Sequence, residues 1–307
     1  KGEKMQVYDN INQVIGKTPL VRLKGFGENL YGKCEFLNPS HSIKDRAAYT
    51  MIKKALDEAH ISKETTIIEC TSGNMGISLA MICATLGLKI ILTMPESMSI
   101  ERRKMMALFG AKLELTPASE GMKGAYERAL ALHKEIKNSF IPSQFENLAN
   151  KFAHRENTAV EILNDLDGKI DYFVAGFGTS GTISGVGEVL KEKFADKVKI
   201  IAVEPAASPL LSEGKAGGHK IQGIGANFIP KILNQSVIDE IQTISNEDAI
   251  ATARELALKN GLMVGISSGA NVFIASKIAK ANPDKIIVTM LNDTAERYLS
   301  TDLFAGI

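Results

Sequence analysis

The sequence predicts an α/β fold with two open, mainly parallel sheets covered by helices. Short apolar, β-branched runs alternate with segments of helical periodicity along most of the 307 residues. The strand-like runs are continuously apolar, which is typical of parallel strands buried on both faces. The length also suits two such sheets, because one domain holds about 100–200 residues.

The predicted elements fall into two groups along the chain. The predicted strands are 66–70, 89–94, 112–115, 172–175, 199–203, 263–266 and 285–290. The predicted helices are 77–86, 100–108, 125–136, 186–194, 248–259 and 272–279. One group lies within residues 41–145 and the other within 171–307, so each group predicts a sheet of its own.

The composition argues against several classes of function. A net charge of +1 gives no electrostatic reason to expect a nucleic acid or an anionic membrane as partner. The sequence contains no apolar run of about 18 residues and no apolar signal core. Cys34, Cys70 and Cys83 form no C-x-x-C pair, and the histidines lack metal-ligand spacing. We therefore expect a cytoplasmic protein without a metal site.

Lys44 stands at a predicted junction between a turn and a helix. Pro39 and the small polar residues beside it favour a turn, and Ser42 is a suitable cap for the next helix. The apolar residues that follow recur at helical spacing along 47–56. A lysine at this point would be held by a rigid element and still be able to reach a cofactor. With 36 Lys and Arg in the chain, the position alone is weak evidence.

Residues 71–76 connect a predicted strand to a predicted helix. The hydroxyls of Thr71 and Ser72, the amide of Asn74 and the N–H groups of the helix start suit a carboxylate. Simple helix capping is the alternative. Capping needs one such residue, whereas three cluster here, so the pattern favours a ligand site.

A second polar loop, residues 176–182, also follows a predicted strand and opens a helix. Its glycines allow an anion to approach the backbone, and Thr179, Ser180 and Thr182 add hydroxyl donors. The loop also satisfies G-x-G-x-x-G, and Glu204 stands where a ribose-binding acid is expected. A phosphate cradle and the dinucleotide site of a nicotinamide-dependent dehydrogenase are both compatible with this loop.

A third polar loop, residues 265–270, closes a predicted strand. A serine N-cap is the simplest interpretation. In a functional interpretation, a serine hydroxyl there would bond a heterocyclic nitrogen. Residues 291–294 form another polar strand end that we expect to lie beside it.

In this order, the motifs resemble the cysteine synthase (O-acetylserine sulfhydrylase) family of fold-type II pyridoxal phosphate enzymes. The resemblance runs nearly end to end and includes four further motifs, at residues 16–22, 94–103, 219–226 and 296–301. It makes the NAD-dependent dehydrogenase a distant alternative. It implies pyridoxal 5′-phosphate as cofactor and the tryptophan synthase β-like fold.

The resemblance also implies roles for individual residues. Lys44 matches the lysine that forms a Schiff base with the cofactor, Asn74 the partner of its ring hydroxyl, and Ser267 the partner of its pyridine nitrogen. The phosphate cradle matches Gly178, Thr179, Ser180, Gly181 and Thr182. The positions that hold the substrate carboxylate match Thr71, Ser72 and Gln144.

The resemblance further implies a large domain of residues 1–40 and 146–307. A smaller mobile domain of residues 41–145 would carry the substrate-carboxylate loop. Family members are usually homodimers, and some bind the C-terminal tail of serine acetyltransferase in the active site. The sequence leaves that partner open.

The implied reaction makes L-cysteine from O-acetyl-L-serine and sulfide through an α-aminoacrylate intermediate. Once the amino acid substrate displaces Lys44, its free amine is placed to act as a general base. A neutral Ser267 against the pyridine nitrogen does not favour protonation of that nitrogen. This favours β-elimination and β-replacement over transamination or racemisation.

Three positions depart from the family pattern. Met75 replaces a threonine, and Ser180 and Asn227 each replace a glycine. Asn227 belongs to a loop that lines the substrate space in the family, so its amide would orient water or a second thiol. The protein would then be a cysteine β-lyase that releases hydrogen sulfide and yields serine or lanthionine. In the alternative, Asn227 only tolerates a left-handed turn.

Overall fold

The computed structural model describes residues 7–307, and the elements below are numbered in chain order. The strands are β1 Leu20–Arg22, β2 Leu30–Cys34, β3 Thr66–Cys70, β4 Lys89–Pro95, β5 Lys112–Thr116, β6 Ser139–Phe140, β7 Tyr172–Gly176, β8 Lys199–Pro205, β9 Glu240–Ile244 and β10 Ile287–Leu291. The α-helices are α1 Lys44–Asp57, α2 Asn74–Leu86, α3 Ile100–Leu108, α4 Gly121–Glu135, α5 Leu148–Ala153, α6 Ala159–Asp165, α7 Gly181–Phe194, α8 Leu210–Glu213, α9 Asn246–Asn260 and α10 Ile266–Ala281. No described helix has the length and apolar character needed to cross a bilayer.

The first of two compact units contains the described residues up to Lys17, Asn38–Ser40 and Lys44–Pro142. Its four strands form a parallel sheet in the order β5-β4-β3-β6. Helix α2 starts directly beyond β3 and is buried along most of its length. The turn between β3 and α2 therefore lies at the carboxyl edge of the sheet, where ligands bind in open α/β folds.

The second unit contains Thr18–Leu37, His41–Ile43 and Ser143–Ile307. Its six strands are ordered β1-β2-β10-β7-β8-β9 and are parallel except for the pair β1–β2. Alternate residues of its central strands enter two different apolar clusters: Phe173 lies in one and Val174 in the other. The sheet is thus buried on both faces, as the continuously apolar strands predicted.

The predicted α/β class with two mainly parallel sheets is confirmed, but the predicted strand 263–266 is wrong. Val264 forms only an isolated bridge with Thr294, and α10 already begins at Ile266. A fully buried helix is apolar on every side, so its first residues cannot be told from a strand by periodicity. The predicted domain bounds, 41–145 against 1–40 with 146–307, stay a prediction.

Candidate active site

Lys44 is the first residue of α1, and a buried carboxylate fixes the chain on either side of it. Asp45 accepts hydrogen bonds from the backbone N–H of Ser40 at 2.7 Å, from the Ser40 hydroxyl, and from the Ser78 hydroxyl at 2.6 Å. Ser78 lies on α2, one turn after Asn74, and residues four apart share a helix face. Asp45 therefore ties the start of the lysine helix to the helix that carries Asn74.

The loop at the start of α2 does not use its polar side chains as helix caps. The N-cap residue is Gly73, which has no side chain to accept a hydrogen bond. Thr71 Oγ1 accepts only a long bond of 3.4 Å from the N–H of Gly73. The capping interpretation of Thr71, Ser72 and Asn74 is therefore not what the structure shows.

The predicted phosphate cradle opens α7 in the second unit. The N-cap residue Ser180 has a left-handed backbone with φ of 71°, and its buried hydroxyl has no hydrogen-bond partner among the described residues. A Cβ atom on Gly178 would lie 2.4 Å from the carbonyl oxygen of Gly223, and one on Gly181 would lie 2.1 Å from Asn150 Oδ1. The loop thus requires glycine at both positions and offers an unpaired hydroxyl, which fits a phosphate group.

Two residues that sequence reasoning missed contact the threonines of this cradle. Asn150 donates to Thr179 Oγ1 at 3.0 Å and to the carbonyl oxygen of Gln144 at 2.8 Å. The buried His154 lies 3.4 Å from Thr182 Oγ1 through Nε2. His154 begins a π-helical turn of five residues, a feature found frequently at functional sites. Polar residues are common along helical segments and these two complete no motif, so local sequence contains no signal for either.

Ser267 lies in the first turn of α10 with its side chain buried. Its Oγ accepts a hydrogen bond from Nδ2 of Asn292 at 3.1 Å. The backbone N–H of Asn292 donates to Ser268 Oγ at 2.8 Å. The polar segment after β10 therefore lies beside the serine loop, as the sequence predicts.

Asn227 has a left-handed backbone, with φ of 61°. Its Oδ1 accepts the hydroxyl hydrogen of Ser208 at 2.6 Å, and Ser208 Oγ in turn accepts the N–H of Gly217 at 3.2 Å. The side chain is thus engaged within its own unit and also satisfies a turn conformation. A role toward the reacting carbons stays a prediction.

Glu204 has a structural role that removes the support for the dinucleotide interpretation. Its buried carboxylate accepts hydrogen bonds from the backbone N–H groups of Leu211 and Ser212, both at 3.0 Å, and from the Ser212 hydroxyl. Both carboxylate oxygens thus serve the short helix α8. A ribose hydroxyl would have to displace these bonds.

The cysteine beside the first loop is not a competing nucleophile. Burial raises the pKa of the Cys70 thiol to about 11, so the thiol stays protonated at neutral pH. Because the thiolate is the reactive form, Cys70 is unsuited to attack a substrate.

The predicted site residues divide between the two units. The first unit holds Lys44, Thr71, Ser72 and Asn74. The second unit holds Gln144, Gly178, Thr179, Ser180, Gly181, Thr182, Asn227 and Ser267. Each group lies in or beside loops at strand or helix ends, where backbone N–H groups remain available to a ligand.

The fold and these loops define a class of protein. A family model described as pyridoxal-phosphate dependent enzyme matches residues 11–293, so the chain belongs to that family. It is 69% identical over 301 residues to "Cysteine synthase B" of Campylobacter jejuni, covering 98% of this chain and 100% of that protein. It is 48% identical to a cysteine synthase of Staphylococcus aureus, covering 97% of each chain.

Two solved structures extend this comparison. O-acetyl serine sulfhydrylase isoform 3 of Entamoeba histolytica superposes with a TM-score of 0.95 at 41% identity, covering 100% of this chain and 94% of that one. A hydrogen sulfide-producing enzyme of Fusobacterium nucleatum gives a TM-score of 0.90 at 44% identity, covering 95% and 100%. The predicted family, fold type and pyridoxal phosphate cofactor are confirmed.

Proposed function

We propose that the protein makes L-cysteine from O-acetyl-L-serine and sulfide by pyridoxal phosphate-dependent β-replacement. The observation that carries the proposal is the hydrogen bond at Ser267, whose hydroxyl accepts from the uncharged amide of Asn292. A neutral partner leaves a pyridine nitrogen unprotonated, which favours elimination at the β-carbon. The whole-length similarity to proteins named cysteine synthase supports the choice of substrates.

We assign the residues as the sequence predicts. In the first unit, Lys44 and Asn74 would hold the cofactor, and Thr71 and Ser72 would bind the substrate carboxylate. The second unit would contribute Gln144 to the carboxylate and Gly178–Thr182 and Ser267 to the cofactor. The cofactor, when bound, supplies the electron sink. The Lys44 amine would accept the proton from the α-carbon, and the N–H groups at the start of α2 would orient the carboxylate.

The alternative is a cysteine β-lyase that releases hydrogen sulfide from L-cysteine, with water or a second thiol as the nucleophile. The similarity to a hydrogen sulfide-producing enzyme and the side chain at Asn227 favour it. In either case we propose a homodimer in the cytoplasm. Binding of a serine acetyltransferase tail stays a prediction.

Visible absorption of the holoenzyme separates the two functions. We expect O-acetyl-L-serine to shift the cofactor band and added sulfide to restore it. A shift with L-cysteine, accompanied by sulfide release, would instead establish the lyase. The variants Asn227→Gly and Asn227→Asp sharpen the test: unchanged rates and products in both would remove Asn227 from the choice of nucleophile. A protein that takes up no pyridoxal phosphate would overturn both functions.

A further inference from the structure

The hydrogen bond between Asn292 and Ser267 has a chemical direction. A hydroxyl has one hydrogen to donate and two lone pairs to accept with. Ser267 Oγ uses one lone pair to accept from Asn292 Nδ2, so its own hydrogen is available to donate elsewhere. Accepting one hydrogen bond also polarises a hydroxyl and makes it a stronger donor. Ser267 is therefore prepared to donate to an acceptor atom.

The backbone that carries Asn292 is held in place by a second buried amide. The ladder between β10 and β7 ends at the pair Thr289–Val174. Beyond that pair, Asn271 donates from Nδ2 to the carbonyl oxygen of Met290 at 2.9 Å and accepts the N–H of Gly176 through Oδ1 at 2.7 Å.

Asn271 thus replaces ladder bonds at the point where the two strand ends separate. It is completely buried and lies on α10, one turn after Ser267. Residues 271, 267 and 292 are consequently fixed relative to one another. The Met290 carbonyl and the Gly176 N–H lie at the carboxyl ends of β10 and β7, so these bonds hold the backbone just before position 292.

The neighbouring carboxylate, Asp293, is bound to groups other than the Ser267 hydroxyl. Asp293 is buried, and its Oδ2 accepts the hydroxyl hydrogen of Tyr298 at 2.6 Å. Its carbonyl oxygen accepts the N–H of Gly265 at 3.0 Å. The hydrogen bond from Asn292 to Ser267 comes from an amide, which carries no charge at any accessible pH.

We propose that Asn292 is a positioning residue that fixes Ser267 as a hydrogen-bond donor to the ring nitrogen of pyridoxal phosphate and so keeps that nitrogen unprotonated. The inference rests on the proposed function, in which Ser267 is the partner of the ring nitrogen. No covalent bond changes: the Ser267 hydrogen stays on its oxygen and is shared with the nitrogen lone pair. Asn292 acts through Ser267 and does not itself touch the reacting atoms.

The test uses Asn292→Asp, which keeps the shape of the side chain and replaces the donor by an acceptor. Ser267 would then donate to the carboxylate and present a lone pair to the ring nitrogen, which would become protonated. The readout is the ¹⁵N chemical shift of holoenzyme reconstituted with ring-¹⁵N pyridoxal phosphate. We expect an unprotonated shift in the wild type and a displacement toward the protonated shift in the variant. A larger fraction of transaminated product should accompany it.

The matched control is Asn246→Asp, which adds the same charge to the same unit. Asn246 Oδ1 already accepts the N–H of Lys220 at 2.8 Å, and a carboxylate would keep that bond. We expect the control to retain the wild-type shift. If Asn292→Asp does not fold, Asn292→Ala carries the test, because it frees the Ser267 hydroxyl to donate or accept. We expect that variant to show a shift between the two extremes.

The outcomes separate the inference from the function on which it rests. A wild-type shift in both Asn292 variants would overturn the inference, as would an equal displacement in Asn246→Asp. A wild type that binds the cofactor with a protonated ring nitrogen would overturn it as well, while leaving the proposed function intact. A wild type that fails to bind pyridoxal phosphate would overturn the proposed function itself.

Discussion

The two units hold their candidate site residues with different chemistry. In the first unit a buried carboxylate, Asp45, gathers donors around the start of the lysine helix. In the second unit the buried side-chain amides of Asn150 and Asn271 link loops and strand ends. A third amide, that of Asn292, donates to Ser267. A carboxylate accepts only, whereas an amide both donates and accepts. A carboxylate therefore collects several donors at one point, and an amide bridges a donor to an acceptor.

The largest effect is expected from Asp45→Ala, which removes the acceptor from the first unit. The N–H and hydroxyl of Ser40 and the hydroxyl of Ser78 would lose their shared partner. Because each buried polar group left unpaired costs about 1–3 kcal/mol, we expect a loss of about 3 kcal/mol or more in the free energy of unfolding. Urea denaturation of the apoprotein measures it.

Asp57→Ala is the matched control on the same helix. Asp57 forms an exposed ion pair with Lys53 at 2.5 Å, and exposed pairs contribute about 1 kcal/mol or less. Equal losses from the two substitutions would mean that Asp45 does not act as a buried hub. The first unit would then not depend on a buried carboxylate at the start of α1.

An intermediate effect is expected from Asn271→Ala in the second unit. This variant leaves the carbonyl oxygen of Met290 and the N–H of Gly176 without their amide partner. We expect a loss of about 2 kcal/mol, because one buried and one partly buried backbone group lose a neutral partner, whereas Asp45→Ala removes a charged one. The same urea measurement applies, with Asn282→Ala as control.

Asn282 lies at the C-terminal end of the same helix, where Nδ2 donates to the Ile278 carbonyl oxygen at 2.9 Å in a partly buried setting. Its loss should cost about 1 kcal/mol. If Asn271→Ala proves no more destabilising than this control, the amide does not hold the two strand ends. If Asn271→Ala lowers the free energy of unfolding as much as Asp45→Ala does, the buried amide and the buried carboxylate contribute equally.

The buried residues that hold the site together are the part of the structure that the sequence does not predict. The loops at 71–76 and 176–182 carry several small polar residues in one run, so the sequence identifies them directly. Asp45 and Asn271 lie within helices, and local sequence does not reveal which distant groups they contact. Serine pairs such as Ser267 and Ser268 suggest a cap, but the direction of the Asn292 bond depends on how β10 and α10 pack. Strand register and buried-amide contacts are tertiary properties, and periodicity does not report them.

The smallest change in unfolding free energy is expected at Ser180, and it separates backbone strain from ligand binding. Ser180 has a left-handed backbone, which costs a residue with a Cβ about 1–2 kcal/mol. Glycine avoids this strain, but it loses more conformational entropy on folding, which offsets part of the gain. Ser180→Gly should therefore stabilise the apoprotein by about 1 kcal/mol or less, whereas Ser180→Ala should keep the strain.

Both variants of Ser180 also remove the buried hydroxyl that has no partner among the described residues. Both should therefore bind pyridoxal phosphate about 10- to 100-fold more weakly, since a hydrogen bond to a charged group contributes about 1.5–3 kcal/mol. Urea denaturation and a spectroscopic titration with the cofactor give the two quantities. Equal stability of the glycine and alanine variants would exclude strain at this turn, and an unchanged affinity in both would exclude the hydroxyl from the cradle. The cradle of the second unit would then depend on its backbone N–H groups and on Asn150 rather than on the Ser180 side chain.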